Sequence, residues 1–353
     1  MHSLQQYRKG VNMNLLIKLK RFYCDSSSAI RYLLVGVLLL PSAVCHLPSV
    51  FAQSHSNSGT TGAQVLESKP GTRPAAMGGA FVAIVDDSNA VIYNPAGLAY
   101  LTKTELQFNQ NKYFSEVTSN YIGWVYPLDE MHARNVFDMG TLAGNVNFVD
   151  YGTIAGRDNS GNDSGEFGAR DRVISLAYGK AFTTNFSIGL VGRQVLEEIA
   201  ATKAHGYSFD AGLLFTNIMD TLNIGIVAQN LGDKITFDKE AAPLPTNYVV
   251  GTSLNLFANR LTLAADLNKP VNDYYHWNFG SEFWLTNVLA LRLGYDTKHD
   301  IGSGLSTGIG LSLQDFEFAF VPLSELAINY AYVSRGDLGV EHQIELVLKI
   351  GVE

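Results

Sequence analysis

Cysteine, charge and long apolar runs are all scarce in this sequence. Only two cysteines occur in 353 residues, Cys24 and Cys45, and both precede residue 53. The rest of the chain holds no disulfide and no thiolate, which excludes a disulfide scaffold, a Cys-based metal centre and a cysteine nucleophile there. Charged residues make up 16% of the chain, against about 25% in an ordinary soluble domain. Past the N-terminal region no stretch supplies the ~18–20 apolar residues of a membrane helix, so a polytopic helical membrane protein is excluded. Apolar residues at 46% and aromatics at 11% exclude disorder. What these absences leave is a membrane-like composition without membrane helices.

The N-terminus points to export. Arg8, Lys9, Lys18, Lys20, Arg21 and Arg31 precede an apolar run from Tyr32 to Leu40, with Asp25 the one acid among them. Pro41 stops the run, and Val50-Phe51-Ala52 offers small side chains for a cut before Gln53. Residues 1–52 therefore read as a secretory signal peptide, with Met13 as an alternative start. A membrane anchor and lipidation at Cys45 are the other readings. The run is short and broken for the first, and Ser42-Ala43-Val44 matches a lipoprotein signal poorly for the second. Without residues 1–52 the chain carries 19 basic and 32 acidic residues, a net charge of −13 against −8 for the whole. That balance argues against nucleic acid as a partner.

From about residue 104 the apolar residues recur with period 2, the period of strands. Leu222, Ile224, Ile226 and Ala228 share one face, and Asn223, Gly225, Val227 and Gln229 the other. Residues 261–267, 289–295 and 344–350 repeat the pattern. The polar positions favour Gly, Asn, Ser and Thr over the Lys and Glu of a soluble sandwich. This suits a barrel whose interior is lined by small polar groups while Leu, Ile, Val and aromatics face lipid. About fourteen segments can be counted, an even number: 105–113, 119–127, 136–147, 171–182, 186–197, 204–216, 221–230, 246–257, 260–268, 274–284, 288–297, 304–313, 315–333 and 340–350. Pro322 argues for a bulge or break in the span 315–333. Connections after even-numbered segments are mostly tight, including Thr183 to Asn185, Ala258-Asn259 and Gln314. Those after odd-numbered segments, such as Val149 to Arg170 and Leu231 to Pro245, are longer and more polar. Short periplasmic turns and long extracellular loops have that asymmetry; Pro127 to Asn135 is an exception. The expected fold is all-β, a transmembrane antiparallel barrel over 104–353 in the bacterial outer membrane, with the lipid bilayer as its solvent.

Residues 68–103 do not alternate. Their small residues permit close backbone approach, and Asn94-Pro95 is a turn signal. Such a segment is read either as a plug inside the barrel or as an irregular N-terminal cap.

Gly71 to Ala83, Asp86 to Ala90 and Asn94 to Ala99 together resemble the opening of the FadL-like outer-membrane proteins, and within them the PorV/PorQ-type branch. Phe279 to Trp284, Leu291 to Tyr295, Ala327 to Tyr332 and Leu338 to Ile344 extend the resemblance over essentially all of 68–350. It implies a fourteen-stranded barrel whose lumen is closed by an N-terminal hatch over 53–103, with Met77, Gly78, Gly79, Asn94, Pro95, Ala96 and Gly97 as hatch and gating residues. It also implies passage of a fatty-acid-like hydrophobic small molecule, or, in the PorV-like alternative, receipt and shuttling of secreted proteins. The barrel-assembly machinery is a further implied partner. At its end the chain departs from the family pattern, closing on Ile350-Gly351-Val352-Glu353 where such barrels finish on an aromatic.

Charged residues on the polar strand faces are the lumen candidates: Asp266, Glu282, Arg292, Glu345 and Lys349, with Glu282 and Arg292 on adjacent strands. Asp86 and Asp87 are candidates for a cation or for turn capping. His132, His205, His276, His299 and His342 are scattered without metal spacing, so no metal site is expected. Gly304-Leu305-Ser306-Thr307-Gly308 matches a nucleophile-elbow string but falls in a strand, where a strand-to-helix turn is required. No catalytic residue and no cofactor is expected, and the protein reads as non-enzymatic.

Overall fold

The computed structural model describes residues 59–84, 86–113, 116–128, 139–158, 160–298, 304–318, 321–336 and 339–351. Residues 1–52, expected to be a signal peptide, together with His132, His299 and most of the connection after Pro127 lie outside them.

Sixteen strands occur among the described residues: β1 Thr104–Lys112, β2 Thr118–Pro127, β3 Thr141–Arg157, β4 Asp163–Thr183, β5 Phe186–Ile199, β6 Thr202–Ile218, β7 Leu222–Leu231, β8 Ile235–Phe237, β9 Glu240–Ala242, β10 Asn247–Leu256, β11 Leu261–Pro270, β12 His276–Trp284, β13 Leu289–Asp296, β14 Leu305–Phe318, β15 Val321–Ser334 and β16 Val340–Ile350. All but β8 and β9 form one closed antiparallel barrel of fourteen strands. Each strand pairs with its neighbour in sequence; β7 pairs β10 across the β8–β9 hairpin, and β1 pairs β16 to close the cylinder. Closure leaves no sheet edge with unpaired backbone in contact with lipid.

Burial is inverted relative to a soluble protein. Leu176 is 61% and Leu190 57% exposed, whereas Glu282 is 1% and Asp210 2% exposed. The alternation follows the sequence pattern: in β7, Gly225, Val227 and Gln229 are buried and Ile226 faces out. Outward aromatics gather at both ends, with Phe182, Phe215 and Phe257 at one and Tyr207, Tyr274, Tyr275 and Trp277 toward the other. An apolar outer band flanked by aromatic residues is the surface a bilayer selects. No helix among the described residues is long and apolar enough to cross a membrane.

Three details differ from the sequence reading. β3 and β4 run well into the polar stretch 149–170, which reads as a loop, and pair there as a two-stranded overhang. Its Gly and Ser content masked the strand period. The register shifts between Asp150 and Thr153, and Gly152 has φ of +74°, so the overhang leaves the barrel at a bulge. The connection after β5 is only Ala200-Ala201, short where a long loop is expected. Gln314 is no turn, because β14 continues to Phe318. The bulge expected at Pro322 is present: Pro322 lies within β15, and the register shift against β16 falls beside it, between Leu323 and Glu325.

Residues 59–103 contain no barrel strand. They form two short helices, α1 Thr72–Ala76 and α2 Ala90–Tyr93, and 3₁₀ turns at Gln64–Leu66 and Pro95–Tyr100. Asn94 caps the second 3₁₀ turn, its Oδ1 accepting from the Ala96 amide at 3.1 Å, with Pro95 at the first position. Gly78 and Gly79 follow α1 with φ of +64° and +82°, and their amides donate to Ala75 and Pro74 carbonyls. That left-handed exit is open to glycine and costly for other residues. Phe81, Tyr93, Met77 and Leu98 from this segment pack with the inward-facing Tyr121, Val125 and Leu214 of the wall.

Candidate functional site

The inward face of the barrel and residues 59–103 meet along nearly the whole segment, and the contact is built in two ways. The first is steric. Glycines on the inner wall stand opposite the segment's backbone. A Cβ on Gly189 would collide with Pro95, and one on Gly294 with Met77 and Gly78; on Gly280 it would lie 2.7 Å from the Met77 carbonyl oxygen. Glycine is required at these sites for the close approach of two backbones.

The second is polar. Asp266 Oδ2 accepts from the Phe81 and Val82 amides at 2.8 and 3.0 Å. Glu345 Oε2 accepts from the Thr72 amide at 2.9 Å and from Gln107 Nε2 at 2.8 Å, while its Oε1 accepts from Asn329. Glu282 receives Arg292 Nε at 2.6 Å and Arg73 at 2.7 and 2.8 Å. Arg73 also pairs with Asp86 and, at 2.8 Å, with Asp87. Lys349 bridges Glu325 at 3.0 Å and Glu105 at 3.7 Å. All five lumen candidates thus face inward, and Asp266, Glu282 and Glu345 bond the segment directly.

The hatch candidates sit at these contacts. Asn94 Nδ2 donates to the Val82 carbonyl at 3.0 Å and to Leu213 of β6 at 3.1 Å, so one amide ties the turn to the wall. Ser187 Oγ donates to the Ala96 carbonyl at 2.8 Å, and Asn278 Nδ2 to the Gly78 carbonyl. Gly97 closes the turn onto the Asn94 carbonyl at 3.1 Å. Asp86 and Asp87 are ion-paired with Arg73, and Asp87 Oδ1 also accepts from the Asn89 amide at 2.9 Å.

Sequence reasoning passed over Arg73, Glu105, Arg193 and Gln229. Glu105 accepts from the Ser88 amide at 2.9 Å, and Arg193 donates to the Val91 carbonyl at 3.0 Å. Gln229 donates to the Tyr93 carbonyl at 2.9 Å and accepts from Lys69 Nζ at 2.7 Å. Glu105, Arg193 and Gln229 occupy polar positions of alternating strands, so the period that found the others also marks them. Burial pushes the Lys69 ammonium down to about 8, against the raising influence of Asp210.

No catalytic arrangement emerges among the described residues. Ser306 is buried, its Oγ donating to the Ala76 carbonyl at 3.3 Å. No group of three metal-ligating side chains occurs among them.

No protein-family model and no curated protein matches the chain. Solved structures do. The toluene transporter TbuX of Ralstonia pickettii is 13% identical, with 79% of this chain and 97% of that one covered and a TM-score of 0.55. The toluene transporter TodX of Pseudomonas putida is 13% identical over 79% of this chain and 96% of that one, at 0.52. The monoaromatic hydrocarbon channel CymD is 12% identical over 80% and 98%, at 0.50. At such identities the likeness is one of fold. The chain shares their fold, a closed fourteen-stranded barrel, and carries the apolar outer band of an outer-membrane protein.

Proposed function

We propose that this protein is an outer-membrane channel for small hydrophobic molecules, with residues 53–103 acting as a hatch across its lumen. The observation that carries the reading is the way the segment is held. Its links to the wall are hydrogen bonds, ion pairs and glycine contacts, from Asn94 on one side to Gly78 on the other, beside one apolar cluster around Phe81 and Leu98. Water can replace hydrogen bonds at a net cost of only about 0.5–1.5 kcal/mol each. A hatch fixed in this way is able to shift without unfolding the barrel. The neighbouring folds belong to toluene transporters, in keeping with a hydrophobic solute. Orientation follows from the connections, with the longer polar loops outside.

One observation favours a second reading, a PorV-like role in handling secreted proteins at the surface. Around the cavity at the loop end the lumen is polar, lined by residues such as Gln229, Asn247 and Gln343, where a hydrocarbon path wants apolar walls. The two readings separate in cells. Loss of the protein lowers the initial uptake of radiolabelled toluene severalfold and leaves secreted proteins at the surface unchanged, if the channel reading holds. Unchanged uptake with loss of surface proteins would replace it by the second, and no change in either would reject both.

A further inference from the structure

Most of the outward face of the barrel is apolar, but one stretch of it is basic. At the loop end the outward positions of β4 are Arg170 and Arg172, and those of β6 are Lys203 and His205. Strand register lays them in rows. Asp150, Arg170, Glu198 and Lys203 stand opposite one another across β3, β4, β5 and β6. Phe148, Arg172, Leu196 and His205 form the row below, and Ile174, Gln194 and Tyr207 the next.

The upper row satisfies itself. Arg170 pairs with Asp150 and Lys203 with Glu198, each at 3.1 Å. The lower rows do not. Among the described residues the side chains of Arg172, Gln194, His205 and Tyr207 make no hydrogen bond or ion pair with the protein, and all four are exposed. Arg172 is flanked by Phe148 and Leu196, so no carboxylate stands directly across from it. Lys269, an outward lysine of β11, is by contrast held by the Asp273 carbonyl at 3.0 Å and lies over the Tyr275 ring.

Height decides what a guanidinium meets there. Arg172 lies ten residues along β4 from Phe182, and His205 ten along β6 from Phe215, the aromatics of the opposite end. At ~3.3 Å per residue and a tilt of ~40°, that is roughly 25 Å above them, the height of the apolar band of such barrels. Arg172 and His205 therefore stand where hydrocarbon gives way to headgroups. Gln194 and Tyr207 stand about 5 Å deeper, where acyl chains join a headgroup. Below them the exposed Ile174, Leu176, Leu190 and Phe209 continue the wall into the band. The four strands are roughly 15 Å across at ~4.8 Å between neighbours, room for more chains than the two of a phospholipid.

We propose that the outer wall of β3–β6 binds a phosphorylated, multiply acylated glycolipid of the outer leaflet. Its phosphate meets the Arg172 guanidinium, whose planar donors suit it, with His205 alongside. The amide, ester and hydroxyl groups that join its chains meet Gln194 and Tyr207, and the chains lie on the apolar wall below. The site rests on the orientation that puts the loop end outside, and is independent of the hatch and of the solute.

Native mass spectrometry of the intact barrel in mild detergent, titrated with hexa-acyl monophosphoryl lipid A or with dioleoylphosphatidylglycerol, tests it. One lipid A per barrel is expected to be retained at concentrations about tenfold or more below those that phosphatidylglycerol needs. Arg172→Gln weakens lipid A by about tenfold or more, whereas Lys269→Gln, which removes the same charge elsewhere on the wall, stays within about threefold. Heat-modifiable gel mobility establishes that both variants retain the closed barrel. No retained lipid A, equal affinity in wild type and Arg172→Gln, or equal weakening by the two substitutions would overturn the proposal. Phosphatidylglycerol held through Arg172 as tightly as lipid A would overturn it too, and held more tightly would also turn the loop end toward the phospholipid leaflet.

Discussion

Glu282 shows how a charged interior is made compatible with a stable barrel. Its carboxylate lies between Arg292, its direct cross-strand partner, and Arg73 of the N-terminal segment. Both partners of a buried pair lose hydration, so the pair is a weak source of net stability, but removing one member leaves an uncompensated charge at a cost of about 3–5 kcal/mol. Glu282→Gln is therefore expected to lower the urea midpoint of the barrel in micelles clearly, and an unchanged midpoint would refute the clamp. Gly189 makes the steric counterpart. A Val there would drive its side chain into Pro95, an overpacking worth about 1–3 kcal/mol or more. Since the 3₁₀ turn can yield more easily than two paired strands, Gly189→Val should loosen the segment, seen as faster trypsin cleavage at Lys103 with the barrel intact. Glu282 and Arg292 were legible in the sequence because strand period assigns them to one face. Arg73 was not, since its partner Glu282 lies 209 residues away and its own surroundings have no period to read.

Among the elements, strands that face lipid on one side and lumen on the other declared themselves, because both environments filter the side chains. β7, β11, β13 and β16 match their expected spans to within two residues. Strands with no such filter stayed hidden. The overhang of β3 and β4 meets water on both faces, so Gly152, Gly156, Ser164 and Gly165 are tolerated there and the pattern dissolves. β8 and β9 are three residues each, too short to show a period. The overhang also predicts an outcome. Beyond the bulge, residues 154–157 and 163–167 pair only with each other, whereas Gly168 accepts from the Ala200 amide at 2.9 Å and Tyr151 bonds Asp171 at the barrel rim at 2.7 Å. Replacing 154–167 by a short turn is expected to leave the thermal midpoint and the gel mobility of the folded barrel unchanged. A large drop in the midpoint would mean that the overhang braces the rim.

At the scale of the whole molecule, the low charge fraction and the absence of membrane helices have one cause. Half of each strand is solvated by lipid, where a Lys or Arg at mid-depth costs about 2–4 kcal/mol. Charge is therefore collected inside, where Glu282, Glu345, Asp266 and Arg193 meet residues 59–103. The same placement underlies the proposal that the segment separates an open pore from a closed one. The measurement that tests this most directly is single-channel conductance in planar bilayers of the protein with and without residues 53–103. Removal of the segment is expected to convert a barrel with little or no steady conductance into one with large, stable openings. Equal conductance of the two forms, with both barrels folded, would contradict the assignment of the segment as a hatch.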